Sequence, residues 1–238
     1  MTRTKPPAPT ALQRGYTIAI RKVFRKRVGE IKAVLIKRRD KFKESFKMKE
    51  SADKITMSLI ENIMGKMLLD LDPITQSFIG TAFNKAAQKT FSNMKMDQWG
   101  MYNSRVSRTM QKESYKYLRK YVDKTNKSLL EYLREGIEKG EPIKDISKQI
   151  EKTFRLTSYK AELIARTEIV KTYSAATKDA IIRGGVTNRY EWVTSRKENV
   201  CPLCAPLHGK IFNVNDPNAE IPPKHPQCNC GIVPVVDI

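Results

Sequence analysis

The chain has 238 residues, enough for one sizeable core or for a small domain carrying an extended arm. Hydrophobic residues make up 40% of it, which supports a globular class. No run of about 18 apolar residues escapes a charge and no apolar signal core follows Met1, so the sequence excludes a spanning helix and predicts a soluble protein made in a cytoplasm. The net charge of +20 is unevenly spread: residues 1–50 hold sixteen Lys/Arg against four Asp/Glu, whereas residues 201–238 hold two against three. A positive field placed there attracts polyanions, nucleic acid among them.

Residues 1–15 read as a flexible basic tail, with Pro6, Pro7 and Pro9 among polar neighbours. From Tyr16 to Met48 the residues Ile20, Phe24, Val28, Ile31 and Leu35 recur at steps of three and four between Lys and Arg, which predicts a basic amphipathic helix. Its candidate nucleic-acid contacts are Arg21, Lys22, Arg25, Lys26, Arg27, Lys37, Arg38 and Arg39. Met57, Ile60, Met64, Met67 and Leu68 predict a second helix. Asp72-Pro73 then reads as an N-cap with Pro at the first position of a third helix, carrying Phe78, Ala82, Ala86 and Phe91. Asp97 to Val122 predicts one helix or two in series, and another runs from Thr125 to a stop at Gly140.

A short helix with Ile143, Ile146, Ile150 and Phe154 is expected next, with Thr157 or Ser158 capping its successor, which ends at Gly184-Gly185. In that second helix Tyr159, Leu163, Val170 and Tyr173 share a face with Arg166. A guanidinium in an apolar stripe must be paired or reach solvent. Glu162, four residues earlier, is a partner in the favourable order, while Glu168 faces elsewhere. The preferred reading makes Arg166, with Glu162 and Glu168, a structural clamp on a loop or strand rather than a catalytic pair.

Beyond residue 185 the pattern changes. Val186–Thr194, Lys210–Val214 and Gly231–Val236 are rich in β-branched and aromatic residues and predict three short strands of a small antiparallel sheet. All four cysteines lie among them: Cys201-Pro-Leu-Cys204, then His225-Pro-Gln-Cys228-Asn-Cys230. Two thiols at i and i+3 share a tight turn, and a second cluster some twenty residues on can close a tetrahedron around Zn²⁺. In a reducing cytoplasm metal is favoured over disulfides. Cys201, Cys204, His225, Cys228 and Cys230 compete for four positions, and the spacing leaves the Cys₄ and Cys₃His sets open. Either set fills the coordination sphere and argues against an activated water, so the expected zinc is structural, one per chain. His208, beside Gly209, reads as a hydrogen-bonding group on a turn.

The order Ala165-Arg166-Thr167-Glu168, Gly184-Gly185, Trp192, Cys201-x-x-Cys204, Leu207-His-Gly-Lys210, Pro222-Pro223 and His225-Pro-x-Cys228-x-Cys230 with Pro234 resembles the phage Mu F-like head morphogenesis family, over roughly residues 113–236. Two departures stand out: Arg196-Lys-Glu-Asn-Val200 before the first Cys, and Asn229 where Arg is usual between the last two cysteines. The expected class is α+β: a flexible tail (1–15), a helical basic arm (16–112), and a small C-terminal α+β domain (113–238) with a short antiparallel sheet and zinc knuckle. The resemblance implies a minor head protein of a tailed phage or prophage, present in the virion with the portal and other head proteins as partners. Read on their own terms, the residues show no complete catalytic constellation, so no enzyme is expected, nor a membrane partner, and the basic arm is expected to meet packaged double-stranded DNA. The competing expectations are a nuclease or ADP-ribosyltransferase using Arg166, Glu168 and His208, and a zinc-containing DNA-binding regulator.

Overall fold

The computed structural model describes residues 10–39, 46–96, 104–139, 141–194 and 200–236. It is mostly helical, with α1 (Thr10–Arg39), α2 (Phe46–Asn93), α3 (Ser104–Glu138) and α4 (Ile143–Gly184) followed by β1 (Arg189–Val193), β2 (Ile211–Asn213) and β3 (Gly231–Pro234). Contacts divide the chain into two units: one takes in residues up to Tyr16 with Thr75–Ser114 and Glu162–Ile238, the other Thr17–Ile74 with Tyr115–Ala161. Trp99 and Tyr102 of the expected helix, and the expected stop at Gly140, lie outside the described residues.

The all-helical unit is built from amphipathic stripes of the four helices. Ile31 and Leu35 of α1, Met57, Ile60 and Met64 of α2, Leu129, Leu133 and Ile137 of α3, and Ile146 and Ile150 of α4 form one buried cluster. Each such side chain contributes about 1.5–3 kcal/mol relative to exposure. Methionine fills the irregular gaps between branched residues there. Arg27, one of the candidate nucleic-acid contacts, is a correction to the sequence reading: it is 6% exposed, and its guanidinium donates to Glu30 Oε2 at 2.7 Å and Asp70 Oδ2 at 2.6 Å. A fork held between two carboxylates inside the fold is not offered to a phosphate.

The second unit carries the sheet. Its strands run β2-β1-β3, all antiparallel, with Tyr190 opposite Phe212 and Pro234 and Trp192 opposite Ile232. Tyr190 and Trp192, two apart on the central strand, are both fully buried on one face. Tyr190 joins Phe91, Met94, Ala180 and Ile181 of α2 and α4, whereas Trp192 joins the cysteines. Helix α4 stops where the sequence places the stop. Gly185, at φ +64°, donates its N–H to Ile181 O at 3.2 Å, and a Cβ on Gly184 would meet Met94 Cε at 2.7 Å.

Three helix boundaries differ from the sequence reading. Helix α1 begins at Thr10, not Tyr16, because Tyr16 is anchored: its ring stacks on Phe78 at 5.2 Å and its hydroxyl donates to Thr75 Oγ1 at 2.9 Å. The start of the expected tail, residues 1–9, lies outside the described residues. Pro73 does not open a helix but lies inside α2. Loss of one i→i−4 hydrogen bond is tolerated where Leu71 before it and Thr75 and Ile79 after it are all fully buried at helical spacing. Likewise α4 runs unbroken past Thr157 and Ser158, so neither caps a helix.

Candidate metal centre

Two turns bring the soft ligands together. At the first, Cys201 O accepts from the N–H groups of Cys204 and Ala205, both at 3.0 Å, and a 3₁₀ turn over Ala205–Leu207 follows. This folds two thiols three residues apart onto one side. At the second, Cys228 N donates to His225 O at 3.2 Å and Gln227 takes φ +65°. The Pro222–Pro223 peptide just before it is cis.

His225 Nδ1 lies 2.7 Å from Pro226 O, and a carbonyl only accepts, so Nδ1 carries the proton and Nε2 presents its lone pair. That nitrogen points at sulfur, 2.9 Å from Cys201 Sγ and 3.4 Å from Cys204 Sγ. Cys204 Sγ lies 3.8 Å from Cys228 Sγ. Tetrahedral Zn–S and Zn–N bonds place S···S edges at about 3.8 Å and S···N edges at about 3.6 Å. Two of the three measured edges are close to those values, and a disulfide, at about 2.05 Å, is far from them. All four thiols are free.

Two ligand triads result, Cys201–Cys204–His225 and Cys204–Cys228–Cys230, each with its ligand atoms within 4.8 Å of one another. Cys204 is the corner they share. It is buried, as are Cys228 and Cys230, under the fully buried Trp192 and against Val200, Leu207 and Phe212. Burial pushes the Cys204 thiol up to about 12. A hydrogen bond from Cys230 draws Cys228 down to about 5, and the same bond, with burial, drives Cys230 upward. Packed this way, one thiolate suppresses ionisation of its neighbours. A dication removes that conflict, because it is bound by several thiolates at once. The donor set, its edges and the fixed imidazole tautomer all suit a metal ion, and these Cys/His groups could hold one.

Arg166 pairs with Glu162 at 3.5 Å, on a side chain 29% exposed. Glu168 turns the other way, is 4% exposed, and accepts from Ser114 Oγ at 2.6 Å. The contact to the cysteine loop comes from the residue between them: Gln227 N–H donates to Thr167 Oγ1 at 3.4 Å. Thr167 and Ser114 are hydrogen-bonding partners that sequence reasoning missed; a Thr inside Ala-Arg-Thr-Glu was the available signal for the first. The stripe expected on this helix is also redrawn. Tyr159 is exposed, while small Ala161, Ala165 and Ala176 with Ile164 and Ile169 fill the buried face, since alanines allow close approach. His208 Nδ1 accepts from the Thr194 N–H at 3.2 Å. On α1, Lys22, Arg25, Lys26 and Lys37 are exposed, Arg21 is half-buried and engaged within the fold, and the side chains of Arg38 and Arg39 lie outside the described residues, as do Arg196–Asn199.

Among the described residues no helix is long and apolar enough to cross a membrane. No curated protein and no solved structure matches the chain. Residues 127–233 match the family described as Phage Mu protein F like protein, a stretch that contains Arg166, Thr167, Glu168 and every cysteine of the knuckle. Over that stretch the chain is similar to phage Mu F-like proteins, a likeness that supports a phage head-related family.

Proposed function

We propose that the chain is a minor head protein of a tailed phage or prophage, resident in the virion, that docks on the portal and acts in head morphogenesis or DNA delivery. The observation that carries this reading is the family match over the domain holding the cysteine knuckle. Its metal is zinc, one per chain, in a closed structural site drawn from Cys201, Cys204, His225, Cys228 and Cys230. Zinc is favoured because thiolate and imidazole donors at tetrahedral edge lengths suit a borderline-soft ion without geometric demands of its own. When bound, the ion supplies cross-linking, not an activated water.

A structural rather than catalytic role is supported by what the three candidate catalytic groups touch. Arg166 is paired with Glu162, Glu168 is buried on Ser114, and His208 accepts from the backbone of Thr194. The exposed cations Lys22, Arg25, Lys26 and Lys37 of α1 make the arm a surface for duplex phosphate. Co-expression with the portal protein of the same element tests the reading: the chain should co-purify with portal and remain in assembled heads. A chain absent from particles and without portal affinity would overturn it. For the arm, replacing Lys22, Arg25 and Lys26 by Ala should lower the salt slope of DNA binding by about 3. An unchanged slope would remove those residues from the interface.

A further inference from the structure

The two turns of the knuckle are closed in the same way. In Cys201-Pro-Leu-Cys204 the fourth residue's N–H donates to the first residue's carbonyl, Cys204 N to Cys201 O at 3.0 Å. In His225-Pro-Gln-Cys228 the closure recurs, Cys228 N to His225 O at 3.2 Å, with Pro second in both turns. Pairs of Cys or His at this spacing are what structural zinc sites are built from. Cys230 stands outside the repeat. It follows the second turn and directly precedes Gly231, which the sheet sets opposite Val193. There it packs with Trp192 and borders the cleft between α4 and β3, beside Tyr173, Ser174 and Thr177. Two buried donors without a partner, Trp192 Nε1 and Ser174 Oγ, belong to these neighbours.

We infer that Cys201, Cys204, His225 and Cys228 are the four ligands and that Cys230 stays outside the coordination sphere as a core thiol. The inference rests on the zinc reading and decides between the ligand sets that it leaves open. The imidazole argues against four cysteines. With Nδ1 protonated, Nε2 carries a lone pair, 2.9 Å from Cys201 Sγ and 3.4 Å from Cys204 Sγ. If both sulfurs were bound as thiolates and His225 were not, acceptor would face acceptor with no proton between them. A shared cation turns the same three atoms into one face of a tetrahedron. The fourth vertex then falls to Cys228 or Cys230, since both sulfurs lie within 4.8 Å of Cys204 Sγ. Cys228 is already at the tetrahedral edge, 3.8 Å from Cys204 Sγ, and the turn it closes also holds His225, so one backbone hydrogen bond fixes both ligands. Cys230 is anchored by the sheet and by neither turn. A sulfur left free of metal there is a weak acceptor for the two buried donors beside it.

Metal retention by single variants of the full chain tests the ligand set, read by native mass spectrometry during competition with a chelator. The native chain should hold one zinc. Cys228→Ser and His225→Asn should each weaken binding by more than about 100-fold, beyond the range of changes outside the coordination sphere, whereas Cys230→Ser should weaken it by no more than about 10-fold. In the cobalt-substituted native chain, the sulfur-to-cobalt charge-transfer intensity per ion should correspond to three thiolates and be unchanged by Cys230→Ser. That spectrum decides the matter even if Cys228→Ser fails to fold. A four-thiolate spectrum, or a loss of metal from Cys230→Ser as severe as that from Cys228→Ser, would overturn the ligand set and leave the zinc reading standing. A native chain that binds no zinc would overturn both.

Discussion

The core of the all-helical unit and the cysteine knuckle of the other unit hold their elements by different physics. In the first, four helices bury Leu, Ile and Met on one another, and the stabilisation scales with apolar area. In the second, three strands of three to five residues have little apolar surface to hold a loop of some twenty residues, and Cys/His groups that could hold a metal are packed with Trp192. The helical core should therefore lose stability gradually with each deleted side chain, whereas the knuckle should lose its order as a unit when its metal is stripped.

Chelation is the largest test of that contrast. Removing the metal at neutral pH should free the Trp192 environment and loosen the sheet while most helical circular dichroism remains; structural zinc is worth about 10–16 kcal/mol in zinc-finger peptides. Unchanged Trp fluorescence after complete metal removal would place the sheet's stability elsewhere. Next in size is Arg27→Ala, which leaves Glu30 and Asp70 facing a part-buried gap. It should cost about 1–3 kcal/mol, read as a lowered denaturation midpoint; a loss below about 0.5 kcal/mol would show that Arg27 is effectively solvated. Pro73→Ala should go the other way and stabilise by up to about 3 kcal/mol, because it restores an amide inside α2 at an exposed position. A destabilised variant would mean that the proline is favoured by the packing around it. The smallest effect is expected from Thr167→Val, which removes the acceptor for Gln227 N–H and should cost about 1 kcal/mol, seen as faster metal release without a change in helical content.

The same contrast explains what could be read from sequence. The clustering of Cys and His was legible because metal ligation demands rare residues at fixed spacing, and Cys-x-x-Cys with His-x-x-Cys-x-Cys marks groups that could hold an ion. The strands and the Gly184-Gly185 stop were legible through local signals, β-branched runs and a glycine able to take positive φ. The helical core residues followed from period alone. What failed depended on tertiary context. Asp72-Pro73 has the form of a helix start, yet the buried residues on both sides carry α2 through it. Arg27 looks like its exposed neighbours Lys26 and Arg25, and only the position of Asp70, far along the chain, shows that it is claimed by the fold. Helical period placed Arg166 on the apolar stripe and turned Glu168 away from it. Which of the two is buried depends on Ser114, a small residue on another helix that no local pattern announces.

The central proposal is a closed structural zinc site in the cysteine knuckle, and native mass spectrometry of the freshly purified chain, with elemental analysis of the same sample, tests it directly. The expected result is one zinc per 238-residue chain, retained in the folded protein and released with the sheet. A folded chain with an ordered sheet, no bound metal and its cysteines paired as disulfides would contradict it.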